Sequence, residues 1–263
     1  MSGIRIETVG STVHVILDRP EQGNALDLAT LTSLLEAFRQ VENLTKDGSV
    51  RAVVLRAEGR RFCVGGDLTT FLSAQVGSAT NEVLAGPLHD AIELIAELPV
   101  PVIAAVHGAT GGGGVGLVLA CDLAIASEEA FFRLGYTGSG LTPDSGTTWE
   151  LPHRAGLTTA MDLMLTNRRV PAVDALSLGM VSRVVPAEEL GSEIAGIVEA
   201  IETVPPETVA ETKRLLRAAI GRSRAEQLKD EATTIGRIGD SADTREAIDA
   251  FLNRRTPVFG RGR

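Results

Sequence analysis

The chain contains the segment PVIAAVHGATGGGGVGLVLA at residues 101–120, where an apolar run leads into four consecutive glycines and then into small apolar residues. The run at Val102–Val106 predicts a buried strand, and Val115–Ala120 predicts a short buried helix. Because glycine has no side chain, this backbone can lie directly against a ligand. A helix N-terminus also presents unpaired N–H groups and a partial positive charge, so we expect an electron-rich group to bind beside the glycines.

A second glycine pair, Gly65 and Gly66, directly precedes Asp67. An anionic oxygen is stabilised by a pair of backbone N–H donors, and two glycine segments can supply such a pair. We therefore interpret the two segments as parts of one binding site.

Two other interpretations of the glycine run stay open at this point. The spacing Gly111-x-Gly113-x-x-Gly116 matches the dinucleotide fingerprint, although several predicted elements precede it and no acidic residue clearly ends a following strand. A phosphate-binding P-loop is excluded, because no Gly-Lys-Ser/Thr follows. The remaining interpretation is structural, since glycines also allow a helix to pack closely on a strand.

Length and composition are typical of a soluble small-molecule enzyme or an oligomeric scaffold. The 263 residues, 44% of them hydrophobic, can form a large core, and no stretch has the length of a membrane span or the character of a secretory leader. A net charge of −9 and 3% aromatic residues argue against a nucleic-acid or membrane surface. The only cysteines, Cys63 and Cys121, predict reduced thiols and a cytoplasmic location. No residue cluster has metal-ligand spacing, so no metal is expected.

Strands and helices alternate along residues 1–200, which predicts an α/β core. The predicted strands are Ile4–Val9, Val13–Leu17, Ala52–Arg56, Val102–Val106, Asp122–Ala126, Ala130–Phe132 and Val181–Val185. Asp27 is predicted to cap a helix that ends near Lys46. The pattern after about Glu188 is helical, so residues 201–263 are assigned to a C-terminal helical region.

Several segments together resemble the crotonase superfamily, the enoyl-CoA hydratase/isomerase family, in the order expected and along nearly the whole chain. They are LDRP at 17–20, NAL at 24–26, RFCVGGDL at 61–68, PVIAAVHG at 101–108, GGG at 112–114, ACDLAIA at 120–126 and ALSLGMV at 175–181. The resemblance implies a spiral of ββα units whose C-terminal helices form trimers, often paired into hexamers. It also implies an acyl-CoA substrate, with coenzyme A as part of that substrate and no separate cofactor.

Site residues follow from the same resemblance. The backbone N–H groups of Gly66 and Gly113 would bind the thioester oxygen and stabilise an enolate. The implied substrate contacts are Ala25, Asp67, Leu68, Gly112, Tyr136 and Trp149. For Asp67 a structural role, capping or bracing nearby backbone, is an alternative.

The positions of carboxylate side chains distinguish between the reactions that members of this family carry out. Family members that hydrate enoyl-CoA resemble one another in having two glutamates, and the matching positions here are Gly116 and Tyr136. Neither can act as a carboxylate, so the usual pair that activates water is absent. Asp144, in GLTPDSGTTWELP at 140–152, is the replacement candidate, although an aspartate in this context is also a natural helix N-cap.

Family members with an aspartate at this position resemble dienoyl-CoA isomerases, ring-epoxide phenylacetyl-CoA isomerases and aryl-CoA dehalogenases. The sequence therefore predicts an acyl-CoA isomerase in which Asp144 removes a proton from one carbon and returns it to another. A hydratase with an atypical water-activating group and a non-catalytic acyl-CoA-binding subunit are the alternatives, and an NAD-dependent oxidoreductase is a more distant one. The loop from Leu72 to Leu84 is expected to line the acyl pocket, and His89 matches no motif.

Overall fold

The computed structural model of the protein describes residues 3–69 and 85–259. The strands are β1 (Ile4–Val9), β2 (Thr12–Leu17), β3 (Ala52–Ala57), β4 (Val102–Val106), β5 (Ala109–Gly111), β6 (Leu123–Ser127), β7 (Phe131–Arg133), β8 (Val170–Pro171) and β9 (Arg183–Val185). The helices are α1 (Leu28–Thr45), α2 (Gly86–Glu97), α3 (Gly113–Ala120), α4 (Thr147–Ala155), α5 (Leu157–Thr166), α6 (Ala172–Ser177), α7 (Leu190–Glu202), α8 (Pro206–Ala218), α9 (Arg224–Gly239) and α10 (Ala242–Leu252).

The main sheet has the strand order β1-β2-β3-β4-β6-β9, in which β1 pairs antiparallel with β2 and every other neighbouring pair is parallel. A smaller sheet has the order β5-β7-β8. The predicted α/β class is confirmed. Because β3 and β4 are parallel neighbours, the glycine segments that follow them leave the sheet at the same edge.

Successive residues of the central strands point to opposite faces of the main sheet. Leu55 of β3 packs with Phe38 of α1 on one face, whereas Val54 packs with Ile194 of α7 on the other face. All residues of β4 are buried, as expected for a parallel strand covered on both faces. The core therefore holds the sheet edge that carries the glycine segments between two packed layers.

Several local predictions are confirmed. Asp27 caps α1, its side chain accepting a hydrogen bond of 2.8 Å from the Thr30 N–H. The helix after the glycine run begins at Gly113 rather than at Val115, because Gly112 has a φ of +46° and turns the chain into the helix. The predicted loop between Leu72 and Leu84 lies outside the described residues.

The C-terminal region is helical, as predicted. Lys213 of α8 is buried and its ammonium donates to the carbonyl oxygens of Ile95 and Val100 and pairs with Asp122. Burial lowers the pKa of this ammonium, while the Asp122 carboxylate opposes that shift. The predicted boundary at residue 200 falls in the last turn of α7, and the division into two regions stays a prediction. Among the described helices, none combines the length and the hydropathy needed to cross a membrane.

Candidate active site

A cavity of about 890 Å³ lies where the two glycine segments leave the main sheet. Its wall is formed by residues drawn from the segments 64–68, 85–89, 111–113 and 133–145, Asp67 not among them, together with Leu26 and Leu31. The cavity therefore collects both glycine segments and the segment that contains Asp144, although these are distant in the sequence.

Gly66 presents its N–H on this wall for a reason visible in the backbone pairing. The Leu26 N–H donates to the Gly65 carbonyl (2.8 Å), and the Asp67 N–H donates to the Leu26 carbonyl (3.0 Å). These bonds use the groups on either side of Gly66, so its own N–H points away from Leu26. No described residue accepts a hydrogen bond from the Gly66 N–H.

Gly113 supplies the second donor. It is the first residue of α3, where N–H groups have no partner within the helix, and none among the described residues accepts from it. The two glycine segments touch, since a Cβ on Gly65 would lie 2.9 Å from the Gly111 carbonyl oxygen. Two unpaired backbone donors on one cavity wall can stabilise a developing oxyanion.

Asp144 faces the same cavity and contacts a histidine. Its Oδ1 lies 2.6 Å from Nε2 of His89, and both side chains are about half exposed. His89 is on α2, and sequence reasoning missed it because no motif marks it and 55 positions separate it from Asp144. Two groups able to carry protons therefore lie side by side at the cavity wall.

The Asp144 side chain does not cap α4. The helix has Gly146 as its N-cap, without a side-chain hydrogen bond. The Thr147 N–H and hydroxyl instead donate to the backbone carbonyl of Asp144, at 3.1 and 2.7 Å. The carboxylate is thereby left to the cavity and His89, so the N-cap interpretation of Asp144 is not supported.

Tyr136 lines the cavity and holds the backbone of the same segment. Its hydroxyl lies 3.2 Å from the Asp144 carbonyl oxygen and 3.2 Å from Oγ of Ser145. Burial raises the pKa of Tyr136 to about 12, so the hydroxyl keeps its proton at neutral pH. Ser145 is a second residue that the sequence did not single out.

The other positions predicted to contact substrate divide into two groups. Leu68 and Gly112 lie on the cavity wall, whereas the described lining does not include Ala25, Asp67 or Trp149. The Asp67 carboxylate accepts from the N–H and hydroxyl of Thr69, which agrees with its structural interpretation.

Trp149 packs against the ring of His153, with ring centroids 4.7 Å apart. The Ala25 carbonyl oxygen accepts a hydrogen bond from the side chain of Arg19. Contacts of Ala25, Asp67 and Trp149 with a bound acyl-CoA stay predictions.

Comparisons with known proteins show the family to which this fold belongs. A probable enoyl-CoA hydratase of Rhodobacter capsulatus is 35% identical, with 97% of both chains covered. The 1,2-epoxyphenylacetyl-CoA isomerase of Escherichia coli is 34% identical, with 92% of both chains covered. The crystal structure of enoyl-CoA hydratase from Mycobacterium smegmatis superposes with a TM-score of 0.92 at 34% identity and covers 98% of each chain.

The family model described as enoyl-CoA hydratase/isomerase matches residues 7–262, nearly the whole chain. This match includes both glycine segments and the segment that carries Asp144. The chain belongs to the enoyl-CoA hydratase/isomerase family, the crotonase superfamily.

Proposed function

We propose that the protein is an acyl-CoA isomerase that shifts a double bond or rearranges a ring through an enolate. The observation that carries the proposal is that the Asp144 carboxylate and the free N–H groups of Gly66 and Gly113 face one cavity. Positions 116 and 136, by contrast, hold no carboxylate. The isomerase relative in Escherichia coli is consistent with this choice.

For a double-bond shift, the proposed reaction uses one carboxylate. The thioester oxygen accepts hydrogen bonds from the Gly66 and Gly113 N–H groups, and Asp144 removes a proton from one carbon of the acyl group. The electron pair of the broken C–H bond moves toward the thioester oxygen and forms the enolate. Asp144, now protonated, returns the proton to another carbon and regains its charge. The sequence of steps consumes no water and needs no cofactor besides the coenzyme A carried by the substrate.

Each backbone donor has a large expected effect. Removal of one oxyanion donor costs about 2.7–4 kcal/mol of transition-state stabilisation in other enzymes. The 2.6 Å contact allows a proton on Nε2 of His89 to be donated to Asp144 and so to orient the carboxylate.

A second candidate is hydration of an enoyl-CoA with an atypical water-activating pair. The contact between His89 and Asp144 favours it, because water addition needs one group that takes a proton and one that gives a proton. The relative in Rhodobacter capsulatus carries a hydratase name.

The test is a panel of 2-enoyl-, 3-enoyl- and dienoyl-CoA thioesters and an aromatic ring-epoxide acyl-CoA, incubated in ¹⁸O-labelled water. We expect at least one substrate to give a product of unchanged mass without label. Faster formation of a labelled product with the added mass of water would favour the hydratase. Binding of the panel without any turnover would contradict both enzymes and favour an acyl-CoA-binding subunit.

We further propose that copies of the chain associate as a trimer or a dimer of trimers. Large apolar side chains are exposed on α5, α9 and α10, and Phe251 is 82% exposed. Other exposed apolar side chains on these helices are Leu157, Met161, Leu165, Leu228, Ile235, Ile248 and Leu252. Apolar side chains on several helices favour contact with another surface. Light scattering that gives the mass of a monomer at micromolar concentration would contradict this proposal.

A further inference from the structure

Gly116 and Ser145 are in unusually close contact. A Cβ on Gly116, in the middle of α3, would lie 2.4 Å from the Ser145 carbonyl oxygen and 2.5 Å from its Cβ. Neither atom can move away by a rotamer change, so a side chain at position 116 would displace the Ser145 backbone. The glycine therefore provides the surface on which residue 145 rests.

Ser145 has a restrained backbone. Its φ is +59°, in the left-handed region, and only 2% of the residue is exposed. A non-glycine residue in this region is strained and persists when its surroundings fix it. The close packing on Gly116 is one such constraint, and the residue it fixes directly follows Asp144.

Tyr136 adds a second constraint on the same peptide. Its hydroxyl has one proton, which it donates to the Asp144 carbonyl or to the Ser145 hydroxyl, and the Ser145 hydroxyl can donate back. Because burial raises the pKa of Tyr136 to about 12, the donor persists across the neutral range. All of these bonds involve backbone or serine atoms, so they leave the Asp144 carboxylate to the cavity and to His89.

The contact also reaches the oxyanion donor. The Ser145 Oγ lies 3.3 Å from where a Cβ on Gly113 would stand. Ser145, which directly follows Asp144, is thus packed against α3 at two positions, Gly113 and Gly116. Ser145 therefore links the backbone beside Asp144 to the end of α3 that begins at Gly113.

We propose that Tyr136 and Ser145, resting on Gly116, are positioning residues that hold the Asp144 carboxylate at a set place relative to the Gly113 N–H. This inference rests on the proposed role of Asp144. Tyr136 is then more than a wall of the acyl pocket, because its hydroxyl acts on the substrate through Asp144.

The first test is Tyr136→Phe, which removes the hydroxyl and keeps the ring. We expect kcat to fall about tenfold, the effect of one hydrogen bond on a positioned group, with KM within about twofold of the parent. A variant with raised KM and unchanged kcat would show that Tyr136 only contacts substrate, and it would overturn the proposal.

The second test places a methyl group against Ser145. Gly116→Ala is expected to lower kcat about 100-fold, and adding Ser145→Gly is expected to restore part of it, since glycine adopts a positive φ and removes one close contact. The matched control is Gly196→Ala in α7, where an added Cβ meets nothing within 4 Å, and it should keep the parent kcat and KM. Thermal unfolding verifies that each variant is folded.

Gly116→Ala with the activity of the control would overturn the proposal, as would a double variant no better than Gly116→Ala. If Gly116→Ala does not fold, the kcat of Tyr136→Phe decides alone. The proposed function fails separately, when Asp144→Asn keeps the parent rate. An inactive Asp144→Asn beside fully active Tyr136→Phe and Gly116→Ala variants would defeat the positioning role only.

Discussion

The two halves of the cavity wall are built differently. The oxyanion half, the part that we propose binds the thioester oxygen, presents the backbone N–H groups of Gly66 and Gly113, which local chain geometry aims at the cavity. The acid/base half, the part that we propose moves the proton, consists of side chains from separate elements, with Asp144 before α4, His89 on α2 and Tyr136 between them in the sequence. Most substitutions keep the backbone N–H of a residue, whereas a single substitution removes the side-chain group. The two halves should therefore respond to different kinds of mutation.

The largest effect is expected on the acid/base half. Asp144→Asn keeps the size of the side chain but removes the base, so kcat should fall about 1000-fold with little change in acyl-CoA affinity. Steady-state kinetics and calorimetric binding measure the two quantities. Asp162→Asn, which changes an exposed carboxylate on α5, is the matched control and should keep the parent kcat.

On the oxyanion half, Gly113→Pro should lower kcat about 100-fold, because proline lacks the N–H. Gly113→Ala retains the N–H, and its Cβ would lie 3.3 Å from Leu26 and Ser145, so its loss should be several-fold smaller. Equal losses in the two variants would mean that space, rather than the N–H donor, matters at this position. A folded Gly113→Pro variant with the parent rate would refute the assignment of the donor.

A smaller effect is expected at His89, and it separates two roles. If His89 only orients Asp144, His89→Gln keeps a side-chain N–H donor and most of the activity, whereas His89→Ala loses about tenfold in kcat. If the ring carries protons, as the hydratase candidate requires, both variants should lose activity equally. Rates of isomerisation and of water addition are measured for each.

The smallest effect concerns the support of the oxyanion half. Asp27 directly follows Leu26, whose N–H and carbonyl groups are hydrogen-bonded to the residues on either side of Gly66. The side chain of Asp27 caps α1. Burial alone would raise the pKa of Asp27, but hydrogen bonds from Thr30 and the charge of Arg19 outweigh it and lower the pKa. Asp27→Ala should therefore reduce the free energy of unfolding by about 1 kcal/mol at neutral pH.

The sign of the pH dependence follows from the lowered pKa of Asp27. Its stabilisation is present above the ordinary pKa of an aspartate and is lost as the pH falls through the lower value in the folded protein. Urea unfolding measures the free energy of unfolding of the parent and of Asp27→Ala. The difference between the two values should shrink on acidification. A difference that grows toward acid would contradict the assignment.

The sequence predicted the parts that depend on local chain properties. The Asp27 cap and the strand Val102–Val106 follow from neighbouring residues. The meeting of the two glycine segments followed instead from the pair of N–H donors that an oxyanion needs. Strands β5 and β8 were missed, because two or three residues are too few to show a period.

His89 and Ser145 were missed for another reason. Their roles depend on contacts between distant segments, and neither lies in a motif of its own. Likewise, only the three-dimensional arrangement shows that the Asp144 carboxylate turns to His89 rather than to the N-terminus of α4.

The contact between Gly116 and Ser145 also restricts which side chains position 116 can accept. The resemblance in the sequence implies a glutamate at this position in hydrating family members, but the Ser145 carbonyl oxygen lies 2.4 Å from where a Cβ at position 116 would stand. A glutamate introduced there first would meet the segment that carries Asp144 and should inactivate the protein rather than convert it. Residues 144–146 would have to take another path before a carboxylate could be accommodated. A carboxylate at position 116 therefore requires two changes in a set order, in which the loop must change before the helix.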